Sequence, residues 1–229
     1  MSVLGGRVAV VTGASRGIGA ATAQALRAAG ARVVRVARTL PPGAGFVDLP
    51  ADLTDAAQVE ALAGRVRQEV GRPDVIVSNA GGFLLRPLDQ TTIADFDAQV
   101  GINLRAAFAV ARVFLPMLRE AGSGTFVTVG SVADHVGLPE NAAYAASKYG
   151  LRALHEVLRA ELRGSGVRAS LVSPGPVDTE LWDPIDPDRQ PGFTPRAQML
   201  TPGDVADAIR WVLLAPDTVN VDELRLSRS

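Results

Sequence analysis

The chain alternates two kinds of segment, and that alternation limits its fold more than any other feature. Seven short segments, most of them rich in valine, are separated by longer segments with helical patterning: Arg7–Thr12, Arg32–Ala37, Phe46–Pro50, Asp74–Ser78, Thr125–Ser131, Arg168–Ser173 and a weaker Leu224–Leu226. Val8-Ala9-Val10-Val11 and Val75-Ile76-Val77 are apolar without polar alternation. A strand with no polar side has no face to turn to water, so these runs predict strands covered on both faces, as in a parallel sheet.

The helical patterns carry their own boundaries. Gly19–Ala29 stops at Gly30, a C′ glycine. Thr54 is expected to cap a helix reaching about Val70. Asp95–Glu120 is a long helical region that Pro116 is expected to interrupt, and Tyr144–Leu162 is another. Thr201-Pro202-Gly203-Asp204 supplies a cap, a first-turn proline and an acid three residues after the cap, for a helix to about Leu214. Strands alternating with helices predict one doubly wound α/β domain over residues 1–229, with a mostly parallel sheet of six to seven strands and helices on both faces. At 229 residues the chain can bury such a core. Trp182–Pro202 holds five prolines and cannot be one regular element. It is expected to be a loop, either a lid over the strand ends or a disordered insertion.

Composition removes several functions. Net charge is −1, from 23 basic and 24 acidic residues, and nearly every basic residue is an isolated arginine. No nucleic-acid footprint is expected. With no cysteine there is no disulfide or thiolate chemistry, and the two histidines, His135 and His155, lack ligand spacing, so no metal site is expected. No 18-residue apolar run is apparent, and Met1–Arg7 lacks the form of a signal peptide, so the expectation is a cytoplasmic protein without a membrane partner.

Small and polar residues cluster after the strands. Thr12-Gly13-Ala14-Ser15-Arg16-Gly17-Ile18-Gly19 joins the first strand to a helix. Glycines there allow a tight turn and close backbone approach to a phosphate, with helix N–H groups aimed at it. Arg38 follows the second strand, Asp52-Leu53 the third, and Ser78-Asn79-Ala80-Gly81 the fourth. Ser131 ends the fifth, and Pro174-Gly175-Pro176-Val177-Asp178-Thr179 follows the sixth. Ligands of open parallel sheets bind at this carboxyl edge. Tyr144 and Lys148 are four residues apart and share a helix face. A free tyrosine titrates near pH 10, and a cation one turn away is expected to lower that value. Ser131, 13 residues before Tyr144, can hydrogen-bond a substrate oxygen. Asn103, in the apolar Gly101-Ile102-Asn103-Leu104, needs a partner if buried.

In these motifs and their order, the chain resembles the short-chain dehydrogenase/reductase family, classical type, over nearly its whole length. The resemblance implies a Rossmann-like fold and a catalytic tetrad of Asn103, Ser131, Tyr144 and Lys148. Tyr144 would donate the proton, Ser131 fix the carbonyl oxygen, Lys148 tune Tyr144 and hold the ribose hydroxyls, and Asn103 hold a water. It implies cofactor contacts from Gly13, Ser15, Arg16, Gly17, Ile18, Gly19, Arg38, Asn79, Ala80, Gly81, Tyr144 and Lys148. Asp52 and Leu53 would bracket the adenine, and Pro174, Gly175, Val177 and Thr179 the carboxamide end. One departure is Ser78, where the family usually has asparagine.

An acid ending the second strand would favour NAD, but Ala37 stands there, and no acid lies between Gly30 and Val47. Arg16 and Arg38 could grip a 2′-phosphate, so NADP (NADPH) is expected, with NAD the lesser choice. Only 13 residues separate Arg38 from Asp52, so the helix usual there is expected to be missing or a single turn. Leu84, Leu85, Trp182 and Phe193 are candidates for an apolar pocket, and His155 and Trp211 for packing. Together these features suggest a carbonyl reductase or alcohol dehydrogenase acting on a small-molecule carbonyl or alcohol. The helices Asp95–Glu120 and Tyr144–Leu162 resemble those through which family members pair as homodimers or homotetramers. A non-catalytic dinucleotide-sensing or scaffold protein, and an epimerase or dehydratase, are the alternatives.

Overall fold

The structure, a computed structural model, describes residues 3–229; the reading of Met1 and Ser2 as part of a non-signal start lies outside them. Seven strands form one sheet: β1 (Val8–Thr12), β2 (Arg32–Val36), β3 (Val47–Asp48), β4 (Val75–Ser78), β5 (Gly124–Val129), β6 (Val167–Pro174) and β7 (Glu223–Leu226). Their order is β3-β2-β1-β4-β5-β6-β7, and every pairing is parallel. The order reverses between β1 and β4, which opens a crevice above their carboxyl ends.

Both faces are covered, as the unbroken apolar strands require. On one face Val10, Ile76 and Phe126 pack against α2 (Ala56–Val70), α4 (Ala106–Ala121) and α5 (Ala142–Glu161) through Leu62, Phe114 and Leu158. On the other, Val11, Val77 and Val129 meet α1 (Gly17–Ala28) and α6 (Pro202–Leu214) through Leu26 and Ile209. Each buried valine or leucine contributes roughly 1.5–3 kcal/mol relative to exposure. Gly30 ends α1 at φ +94°, and Thr201 and Asp204 form the expected reciprocal cap of α6.

Several boundaries differ from expectation. Asp55, not Thr54, caps α2, accepting from the N–H groups of Ala57 and Gln58; Thr54 instead donates to Asp52. β5 ends at Val129, so Ser131 lies beyond the strand. Pro116 sits inside α4 without ending it. The irregularity falls earlier: α3 (Ile93–Val100) passes into α4 through a π-helical turn at Gly101–Arg105. Continuous helix over Ile93–Ala121 is long and apolar enough by composition to cross a membrane, contrary to the expectation from sequence. Its apolar content is spent on the sheet, where Val110, Phe114 and Leu118 are buried. As expected, no helix joins β2 to β3. A bidentate Arg35–Asp48 ion pair closes the gap, with the guanidinium 4.5 Å from the Phe46 ring centroid. Trp211 is exposed rather than packed.

His155 is buried in α5, and its Nδ1 lies 2.9 Å from Thr128 Oγ1. Burial, reinforced by Arg159 and Arg152, pushes its pKa down to about 4. The unfolded chain takes up a proton near pH 6.5, whereas the fold resists until about pH 4, so stability is lost as pH falls through that window. The loss is on the order of 2–3 kcal/mol by pH 4.5. Thermal melts between pH 7 and pH 4.5 are expected to show a steeper decline for the native chain than for His155→Gln; equal slopes would refute this.

Candidate functional site

Strand β1 delivers the glycine loop to the crevice. Gly13 and Gly17 have φ of +65° and +54°, a region that favours glycine. A Cβ on Gly19 would lie 2.2 Å from the Gly13 carbonyl oxygen, so only glycine lets the helix start this close to the turn. Arg16 precedes α1 without a side-chain cap bond, and the first turn holds no acid. The N–H groups of that turn are therefore left for an anion. Ser15 is half-buried in the turn, and Ile18 packs into the core beneath it.

The loop after β4 meets this turn. The Thr12 hydroxyl donates to the Val77 carbonyl and accepts from the N–H groups of Asn79 and Ala80. Asn79 Nδ2 donates to the Thr12 carbonyl at 2.9 Å. Any Cβ on Gly13 would strike the Ala80 backbone at 2.8 Å. Thr12 was not among the site residues expected from sequence, yet its hydroxyl joins the two sides of the crevice. From the other side comes Thr179, whose methyl would lie 3.2 Å from a Cβ on Gly17. Val177 is buried, and Gly175 N–H donates to Leu226 at 2.8 Å, which fixes the segment after β6.

Arg16 and Arg38 are exposed, and neither guanidinium makes a hydrogen bond or ion pair with the described residues. Asp52 lies near Arg38, but its carboxyl is occupied by Thr54, whose hydrogen bonds lead the causes holding it below the usual carboxylate range. Leu53 is buried. The crevice fits a dinucleotide on this chain's own features: a phosphate-sized turn that side chains would fill, an uncapped helix start and two unpaired guanidinium groups at its rim.

Asn103 sits buried in the π turn. Its Oδ1 accepts from Gly82 N–H at 2.9 Å, and its Nδ2 faces the Gly82 carbonyl at 3.1 Å, Ser147 Oγ at 3.0 Å and Gln99 Oε1 at 3.2 Å. A Cβ on Gly81 would strike its Oδ1 at 2.7 Å. None of these bonds reaches Lys148. The amide clamps the loop after β4 to α5, and Ser147 Oγ in turn donates to the Tyr144 carbonyl at 2.6 Å.

Ser131 caps the short turn Val132–Asp134, accepting from Ala133 N–H at 3.1 Å. It also hydrogen-bonds Tyr144. Lys148 is buried and donates to the carbonyls of Val129 and Gly130 at 3.2 and 3.3 Å. Its Nζ is 5.7 Å from the Tyr144 ring centroid. Ser131, Tyr144 and Lys148 thus gather as expected, but the electrostatic expectation needs correction. Burial pushes Tyr144 up to about 12, against the Ser131 hydrogen bond and with Asp134 adding to the rise. Burial likewise pushes Lys148 down to about 8, with Asp134 opposing. Spacing identified the pair, but desolvation outweighs their mutual influence.

Phe83, which the sequence reading passed over, meets Tyr144 edge-on at 4.9 Å and Trp182 at 5.0 Å; Trp182 lies 6.3 Å from Phe193. These aromatics make the apolar wall. Leu84 and Leu85 take no part in its ring contacts. A cavity of about 370 Å³ lies beside Ser131, bounded by Val132, His135, Gly175, Thr194, Gln198 and Arg228 among others.

A doubly wound parallel sheet, a glycine turn at its switch point and a Ser–Tyr–Lys group above β5 define a dinucleotide-dependent oxidoreductase class. The chain belongs to the short-chain dehydrogenase/reductase family: the sequence model for short chain dehydrogenase matches residues 7–190. A D-threitol dehydrogenase of Mycolicibacterium smegmatis is 37% identical, over 93% of this chain and 87% of its own. A metagenomic short-chain oxidoreductase solved with NADP superposes with a TM-score of 0.83 at 33% identity, covering 100% of this chain and 99% of its own. An alcohol dehydrogenase of the archaeon Thermococcus sibiricus, complexed with 5-hydroxy-NADP, gives 0.83 at 28% identity over 96% and 95% of the two chains.

Proposed function

We propose that the protein is an NADP-dependent carbonyl reductase or alcohol dehydrogenase acting on a small polar carbonyl or secondary alcohol. The observation that carries this is the meeting of Ser131, Tyr144 and Lys148 at the rim of a glycine-lined crevice. The cofactor supplies hydride transfer; the chain supplies orientation and the proton. Ser131 hydrogen-bonds the substrate oxygen, and Tyr144, whose high pKa keeps it protonated, gives its proton to the oxygen as negative charge develops there. Lys148 is left to donate to ribose hydroxyls and to stabilise the phenolate once the proton has left. Arg16 and Arg38 hold a 2′-phosphate, Asp52 and Leu53 lie at the adenine, Asn79–Gly81 line the crevice, and Pro174–Thr179 lie at the carboxamide end.

The D-threitol dehydrogenase relative and the part-polar cavity support a polyol or hydroxy-carbonyl substrate. Residues 1–229 act as one catalytic unit, with the segment 182–202 as its lid. Arg196 anchors that segment, donating to Asp178 at 2.7 Å and Asp183 at 2.6 Å. Exposed Phe108 on α4 and Tyr149 and Val157 on α5 support pairing into a homodimer or homotetramer, and absence of cysteine is compatible with the cytoplasm. Paired NADH and NADPH assays across ketones, ketoses and polyols of graded size test the reading. Faster turnover with NADPH on a polar substrate supports it; cofactor binding with no turnover of any compound favours the sensing or scaffold role.

A further inference from the structure

Asp134 has no part in the chemistry described so far, yet it is fully buried directly behind the group that performs it. Its Oδ2 accepts from Ser131 N–H at 3.2 Å and from Ser173 Oγ on β6 at 2.5 Å. Its Oδ1 lies 2.7 Å from His135 Nδ1 and 3.5 Å from Arg152 Nη1 on α5. Arg152 is itself fixed by a bidentate pair with Glu223 on β7, at 2.9 and 2.8 Å, and by Glu156 at 3.1 Å. The carboxylate is therefore held from β6, α5 and its own loop. A Cβ on Gly130 would come 2.3 Å from Asp134 Oδ2. Gly130 is also the residue whose carbonyl receives Lys148 Nζ. Thus a single glycine separates the buried anion from the buried ammonium, and the same anion grips the backbone N–H of Ser131.

We propose that Asp134 is a positioning residue, the fixed countercharge that holds Ser131 in place and sets the acid–base balance of Tyr144 and Lys148. Burying a lysine costs free energy unless an anion offsets it, and Asp134 provides that offset through Gly130. Its charge also works against release of the Tyr144 proton. Both effects have one sign: an anion favours the protonated form of each neighbour. The groups facing Asp134 are Tyr144, Lys148 and Arg152 of α5 and His135 of its own loop, with Glu156 and Glu223 acting through Arg152. Replacement of Asp134 by a neutral residue leaves those cations and the lysine in place, so Tyr144 and Lys148 both titrate at lower pH.

This inference rests on the oxidoreductase reading for its kinetic consequence but not for its titration. The chain has two tyrosines, and Tyr149 is exposed, so Tyr149→Phe isolates the Tyr144 signal. Ultraviolet tyrosinate titration of Tyr149→Phe, with and without Asp134→Asn, is expected to show the Tyr144 midpoint falling by about one pKa unit. The alkaline limb of kcat/KM for alcohol oxidation should move to lower pH by a similar amount. Asp134→Ser removes the same charge without adding an amide, and keeps the test available should the asparagine variant not fold. Ser173→Ala, which loses a hydrogen bond but keeps the anion, is expected to leave the midpoint in place. An unmoved midpoint in the Asp134 variants, or an equal shift in Ser173→Ala, would overturn the proposal. A shifted midpoint in a protein that turns over no carbonyl would instead count against the oxidoreductase reading alone.

Discussion

Tyr144→Phe is expected to lower kcat for NADPH-dependent carbonyl reduction by about 10²–10⁴-fold, the usual contribution of a positioned general acid. The substitution removes one oxygen and keeps the ring, so the edge-on contact with Phe83 at 4.9 Å survives. NADPH affinity, followed by cofactor fluorescence, should change by no more than a few-fold. The direction of the Tyr144 shift sharpens the expectation. A phenol raised to about 12 by burial is a proton donor throughout the neutral range, so reduction of carbonyls should persist at pH 7. Oxidation of the alcohol needs the phenolate and should accelerate as the medium becomes alkaline. Turnover of Tyr144→Phe within tenfold of the native chain would remove Tyr144 from the chemistry.

The second large effect concerns cofactor choice. A charge-assisted contact to phosphate is worth roughly 1.5–3 kcal/mol, or about 10–100-fold in affinity. Arg16 and Arg38 are exposed and free of ion pairs with the described residues, so replacing them disturbs little else. Arg16→Ala with Arg38→Ala is expected to raise KM for NADPH by about 10²-fold or more while leaving KM for NADH within a few-fold. Equal losses with both cofactors would show that the arginines do not read the 2′-phosphate. A native preference for NADH would overturn the assignment outright.

Much of the scaffold was legible because its signals are local. Val8–Val11 and Val75–Val77 announce two-sided burial by lacking any polar position, and Thr201–Asp204 specifies a helix start through side chains three residues apart. The glycine turn was readable for the same reason. Contacts between distant segments were not. Asp134 looks in sequence like one more acid in a loop, and only the fold brings it against Ser173 and Arg152. Phe83 gains its meaning from Tyr144 and Trp182, far along the chain. The Tyr144–Lys148 spacing gave proximity correctly but not sign, because desolvation depends on what encloses the pair. Pro116 misled through the opposite fault: a strong local rule was overridden by a helix that packs Phe114 and Leu118 on the sheet.

The π turn at Gly101–Arg105 carries a practical lesson for anyone altering this enzyme. A turn that accommodates one residue more than its neighbours can be shortened to an ordinary helix without a break in the chain. Such a deletion would swing everything on one side of it by about 100° relative to the other, since each residue accounts for that much rotation. Either α3 would leave its seat or the amide of Asn103 would turn away from Gly82. The surplus residue is thus a spacer, and the loop facing the reacting atoms keeps its place only while that miscount in the helix is preserved.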